Sequence, residues 1–178
     1  AFRLYNQQRI TMKQIYFSIL SFFLFSTTLL FGTEYTIGTV PNVHLQNAKA
    51  FVSNPDAILS PSTEQQINLL LDSLQTKTSA EVAVVAVNSI GDADIKQFAT
   101  ALFEHWGIGK REKANGLLIL FVLDQRKITF ETGYGLEGIL PDAICKRIQT
   151  RYMLPEFKTE NYDKGMLQGL NVIYHRLS

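Results

Sequence analysis

Two short apolar runs, Glu81–Val87 (EVAVVAV) and Gly116–Leu123 (GLLILFVL), constrain this chain more than any other feature. Each is continuous, aliphatic and only seven or eight residues long, the pattern of a strand covered on both faces. Between them Ile95, Phe98, Ala99, Leu102, Phe103 and Trp106 line up as one apolar helical stripe. Strand, helix and strand in that order predict a parallel pair joined by a right-handed crossover. The next run, Lys127–Thr132 (KITFET), alternates, and only Asp124-Gln125-Arg126 precedes it. So short a connection forces antiparallel pairing, and the sheet must be mixed.

Helices frame these strands. Ser60-Pro61 is a start signal, and Ile67, Leu70, Leu71 and Leu74 recur at helical spacing to about Thr78. Asp94, with Gln97 three residues on, caps the middle helix, and Gly107 and Gly109 end it. Two helices are expected to close the chain, Pro141 to Tyr152 and Asn161 to Leu177, the second with Tyr162, Met166, Leu170, Ile173 and Leu177 in phase. No internal repeat is visible. The expected architecture is a three-layer α/β/α sandwich on a small mixed sheet.

The 178 residues leave room for one ordinary domain. The amino terminus is set apart from it. Residues 1–33 hold Arg3, Arg9 and Lys13 and no acid, whereas the remainder carries 14 Lys and Arg against 16 Asp and Glu. That remainder has no basic stripe, which argues against nucleic acid as the main partner. Ile15 to Phe31 is almost wholly apolar or hydroxylic, behind Lys13. It reads as an export signal or a retained membrane anchor, with Met12-Lys13 as the expected start. Residues 34–54, with Pro41, Asn42, Asn47 and Asn54, read as an extended lead-in, and 55–178 as the domain. The single cysteine, Cys145, excludes an internal disulfide framework and a cysteine zinc cluster.

Four spellings suggest chemistry, and context weakens each. Gly133-Tyr-Gly-Leu-Glu-Gly138 spells G-x-G-x-x-G, but a dinucleotide loop follows the first parallel strand and opens directly into a helix. Here it follows the antiparallel strand, Leu140-Pro141 intervenes, and no later strand offers an acid for a ribose, so no nucleotide cofactor is expected. The three glycines are better read as relieving side-chain clash in a tight turn. Cys145 and Arg151 spell C-x5-R, yet the residues between them fall in a helix whose amides are already used. Asp92-Ala-Asp94 is better explained by the helix cap. His44, His105 and His175 have no metal-ligand spacing.

An antiparallel third strand carries the loop after it to the amino-terminal edge of the other two, beside Gly109–Asn115. If the connection Asn54-Pro55-Asp56 reaches the same edge, Asn54, Asp56, Asn115, Glu137 and Asp142 gather there. Carboxylates and amide oxygens without histidine or thiol suit a hard cation such as calcium. The alternative is that Asp142 only favours a helix dipole and Glu137 is solvated.

Trp106-Gly-Ile-Gly-Lys110, Asn115-Gly116-Leu-Leu, Gly133-Tyr-Gly-Leu-Glu-Gly138 followed by Pro141-Asp142, and Pro155 with Tyr162 resemble the TPM domain family. That family is named after a plant thylakoid lumen protein, photosystem II repair proteins and an acetylcholine-receptor modulator. The resemblance runs from about Val40 to the end. It implies an α/β sandwich outside the cytoplasm, periplasmic in a bacterium, with calcium binding in some members and acid-phosphatase activity in plant relatives. Many members carry an aspartate where this chain has Asn54. The leading expectation is an exported or membrane-associated domain that binds a divalent cation and assists a partner protein or membrane complex. The rivals are a metal-dependent phosphatase, with Asp56, Glu137 and Asp142 as ligands, and a purely structural interaction module.

Overall fold

Backbone registers give the sheet its order. In this computed structural model, which describes residues 33–109 and 112–178, strand β1 (Val52–Ser53) pairs parallel with β2 (Glu81–Val87). β2 pairs parallel with β3 (Gly116–Val122), and β3 pairs antiparallel with β4 (Lys127–Thr132), in the order β1-β2-β3-β4. The mixed sheet expected from sequence is present. The export or anchor segment expected at Ile15–Phe31 lies outside the described residues. Among the described residues, no helix is long and apolar enough to cross a membrane.

Helix α1 (Pro61–Thr78) begins where Ser60 Oγ accepts the Thr63 N–H, with Pro61 where a missing N–H costs nothing. Helix α2 (Ile95–Trp106) begins on Asp94, whose Oδ1 accepts the Lys96 and Gln97 N–H groups at 3.0 Å each. It stops at Gly107, which takes the left-handed conformation with φ 63°. After β4 come α3 (Asp142–Ile148), a π-helical turn (Gln149–Met153), α4 (Leu154–Phe157) and α5 (Tyr162–Leu177). The single helix expected over Pro141–Tyr152 is therefore broken. Pro155 has no N–H to bond the carbonyl four residues back, and the turn before it widens.

Alternation along the strands divides the core. Val82, Val84, Ala86, Leu117, Ile119 and Phe121 pack with Ile67, Leu71 and Leu74 of α1 and Met166, Leu170 and Ile173 of α5. Val85, Val87, Leu118, Leu120 and Val122 face Ile95, Phe98, Ala99 and Leu102 of α2 on the other side. This is the three-layer α/β/α sandwich. Each fully buried Leu, Ile or Phe contributes about 1.5–3 kcal/mol, so both layers matter. Because β1, β2 and β3 step across the sheet in one direction while α1 and α2 cover opposite faces, the two crossovers have opposite hands. The right-handed rule therefore holds for one of them.

The lead-in is more structured than its composition suggests. Tyr35 and Val40 are buried under the α2 layer, and the Tyr35 N–H bonds Ser89 O at 2.9 Å. Phe51 O accepts the Val84 N–H at 2.9 Å, which opens the β1–β2 ladder.

Candidate functional site

The five residues expected to share one edge occupy three places. Asn54 and Asp56 follow β1, and β1 runs parallel to β2, so both lie at the carboxyl end of the parallel strands. Asn115 precedes β3 and lies at the amino end, a strand length away, roughly 20 Å along seven residues. Glu137 belongs to the turn after β4, on Asn115's end of the sheet. Asp142 lines a groove beside β4, with Lys96 and Lys146. Among the described residues, no three His, Cys, Asp or Glu side chains are placed to hold a metal ion together.

At the carboxyl end, side chains close the structure. Asn54 Oδ1 accepts the Ile58 and Leu59 N–H groups at 2.8 and 3.1 Å, and its Nδ2 donates to Leu59 O at 2.8 Å and to the Glu64 carboxylate. Both halves of the amide are used, which an aspartate could not reproduce. Asp56 accepts the Asn88 N–H at 2.7 Å and the Tyr35 hydroxyl at 3.2 Å. Burial, then the Asp56 carboxylate, pushes the Tyr35 phenol above its ordinary value. These two residues tie β1, the lead-in and the end of β2 together.

At the amino end, backbone contacts hold the Gly133–Leu140 turn. Gly133 N–H bonds Gly116 O and Gly135 N–H bonds Ala114 O, both at 2.9 Å. Leu136, Glu137, Ile139 and Leu140 each donate a backbone N–H within the turn, to Gly133 O, Tyr134 O, Leu136 O and Leu136 O. A phosphate cradle needs several free amides in a row, and most of those in this turn are spent. A side chain at Gly133 would run into Ala114 O, and one at Gly135 into Lys113 O. Close backbone approach therefore explains two of the three glycines. Gly138 has open space around it. Asn115 is buried, and its Nδ2 donates to Ser79 O at 2.7 Å. The turn holds Tyr134 84% exposed and Ile139 43% exposed, with Glu137 also at the surface.

Cys145 is buried in α3 and its thiol donates to Leu140 O at 3.4 Å. Burial first, and Asp142 second, push it up to about 11, which makes it a poor nucleophile at neutral pH. Sequence reasoning missed the groove that Cys145 borders. It is roughly 540 Å³ in volume and runs along β4 between the start of α2 and the α3 helix, lined by Lys96, Arg126, Lys127, Asp142, Lys146 and the buried Gln149 among others. The single signal in the sequence was the position of KITFET as the last strand, hence an edge.

The sequence profile of the TPM domain matches residues 52–176. This chain belongs to the TPM domain family. Among solved structures, it is similar to the N-terminal domain of a protein from P. gingivalis, with 39% identity, TM-score 0.77 and coverage of 82% of this chain and 92% of that one. The BA42 protein of the psychrophilic bacterium Bizionia argentinensis shares 18% identity over 70% of this chain and 85% of its own, with TM-score 0.60. The N-terminal domain of the cg2496 protein of Corynebacterium glutamicum shares 14% over 81% and 88%, also with TM-score 0.60. The last two are likenesses of fold. A search of curated proteins finds no match.

Proposed function

We propose that this TPM domain acts by binding. It is an exported or membrane-held domain, outside the cytoplasm, whose Gly133–Ile139 turn docks onto a partner protein or membrane complex. The observation that carries this reading is Tyr134, exposed on a turn in which the Gly133, Gly135, Leu136, Glu137 and Ile139 amides are hydrogen-bonded and Gly133 and Gly135 abut the backbone of Ala114 and Lys113. A turn whose backbone is already held loses little backbone freedom on docking, and aromatic anchors dominate binding energies.

A divalent cation, calcium by the hardness of its donors, is the ligand proposed for the same turn. Asn54 and Asp56 have no part in it from the far end of the sheet. Glu137, backbone carbonyls and water remain, a donor set that implies weak affinity. The phosphatase reading needs Asp56, Glu137 and Asp142 around one metal, and they stand at three separate places.

The test places a photo-crosslinking amino acid at position 134 of the full chain in cells, with position 69 on α1 as control, since Leu69 is 66% exposed. A discrete adduct from 134 alone is expected. Adducts from both positions alike, or from neither, would sink the docking reading. Calorimetry with calcium chloride on the wild type and Glu137→Gln decides the cation, with the heat expected to vanish in the variant. Turnover of an artificial phosphomonoester that Asp142→Ala abolishes would restore the phosphatase.

A further inference from the structure

We infer that the outer edge of β4 is a second interaction surface, which takes an extended acidic segment of a partner protein as an added strand. β4 is the last strand of the sheet, with β3 on one side only. The Gly133 N–H to Gly116 O bond fixes which residues exchange hydrogen bonds in this antiparallel pair. Lys127, Thr129 and Glu131 bond to β3, so the N–H and C=O groups of Ile128, Phe130 and Thr132 point outward. Lys96 Nζ confirms the direction, since it donates to Phe130 O at 3.1 Å from outside the ladder.

An open edge of this kind is a liability unless something covers it. Here it lies at the floor of the groove between α2 and α3, where main-chain bonds can supply affinity and the walls selectivity. Charge selects the occupant. Lys96, Arg126, Lys127 and Lys146 line the groove against Asp142 alone. Lys96 is partly neutralised by Glu131 at 2.7 Å, while Arg126, Lys127 and Lys146 are exposed and join none of the ion pairs among the described residues. Carboxylates on alternate residues of an incoming strand would meet these cations. A second copy of the chain would bring its own Arg126, Lys127 and Lys146 against them, and like charges facing across an interface disfavour that pairing. Lys96 acts as the guard of the empty edge, and a docked strand takes its place on Phe130 O.

This surface is distinct from the Gly133–Ile139 turn, and its test does not depend on that turn. The full chain, labelled with 15N, is titrated with a capped heptapeptide of alternating Glu and Val, and separately with its Lys/Val counterpart. The outward amides of Ile128, Phe130 and Thr132 are expected to shift and to gain exchange protection, with those of Thr129 and Glu131 unchanged. The Lys127→Glu, Lys146→Glu double variant, altered only at exposed positions, should keep its spectrum and bind the Glu/Val peptide roughly tenfold more weakly. No shift at about 1 mM peptide, or equal affinity for the Lys/Val peptide, would overturn the inference. So would shifts confined to the Gly133–Ile139 turn, or protection of the outward amides that rises with protein concentration alone.

Discussion

At the carboxyl end of the parallel strands, side chains hold the Asn54–Asp56 connection; at the amino end, backbone contacts hold the Gly133–Leu140 turn. Asn54 and Asp56 spend their oxygens on the N–H groups of Ile58, Leu59 and Asn88, so the acidic-looking end is a structural clasp. At the other end Gly133 and Gly135 let two backbone segments touch, and the turn is held by main-chain hydrogen bonds. Tyr134, Glu137 and Ile139 are left at the surface. A turn that is held by main chain leaves its exposed side chains available for a partner, and that is where function is expected.

The comparison breaks most readily at Gly135. An Ala there would drive its methyl into Lys113 O, where neither backbone can yield without breaking the Gly135–Ala114 bond. Gly135→Ala is expected to cost about 3 kcal/mol by overpacking, read from urea unfolding. A loss below roughly 0.5 kcal/mol would mean the two segments are not held against one another.

The clasp is next. Asp56→Ala leaves the Asn88 N–H and the Tyr35 hydroxyl without their acceptor, and should cost about 2 kcal/mol. Calcium should be without effect on the size of that loss, because Asp56 is occupied by the protein itself. A calcium-dependent difference between wild type and variant would return Asp56 to the candidate ligands.

These two ends show how far the sequence could be read. Glu81–Val87, Lys127–Thr132 and the Asp94 cap were legible because periodicity, length and capping chemistry agree at each. β1 was not, since two residues, Val52–Ser53, carry no period. That omission misplaced the site. With β1 unseen, the Asn54–Asp56 connection had no direction and could be drawn to either edge; with β1 parallel to β2, it must lie at the carboxyl end. The π-helical turn was hidden for another reason. Pro155 signals a break in the helix, but the packing of Met153 against Gly165 and Gly169 of α5 that accompanies it is a tertiary contact that local sequence does not report.

Between the two ends, Cys145 gives a pH readout. The folded thiol titrates near 11, above the usual value of about 8.5 in an unfolded chain. A group whose folded pKa is raised contributes its stability in full below the unfolded value and loses it as pH rises through the folded one. Stability should therefore decline between about pH 8.5 and 11, and less so in Cys145→Ala. Labelling by a disulfide reagent at neutral pH should be far slower in the native protein than in urea. Equal rates would show that α3 does not shield the thiol.

The smallest effect is expected at the third glycine of the loop. In a dinucleotide fingerprint that position serves close helix–strand packing and is filled by Gly or Ala. Here Gly138 has nothing within 4 Å of where a Cβ would stand, and its φ is not among the positive ones. Gly138→Ala should be neutral within about 0.5 kcal/mol, or slightly stabilising, because it restricts the unfolded chain more than the folded one. The pair Gly135→Ala and Gly138→Ala thus separates two uses of one residue type within four positions. A large loss at Gly138 would mean that the space around it is not open.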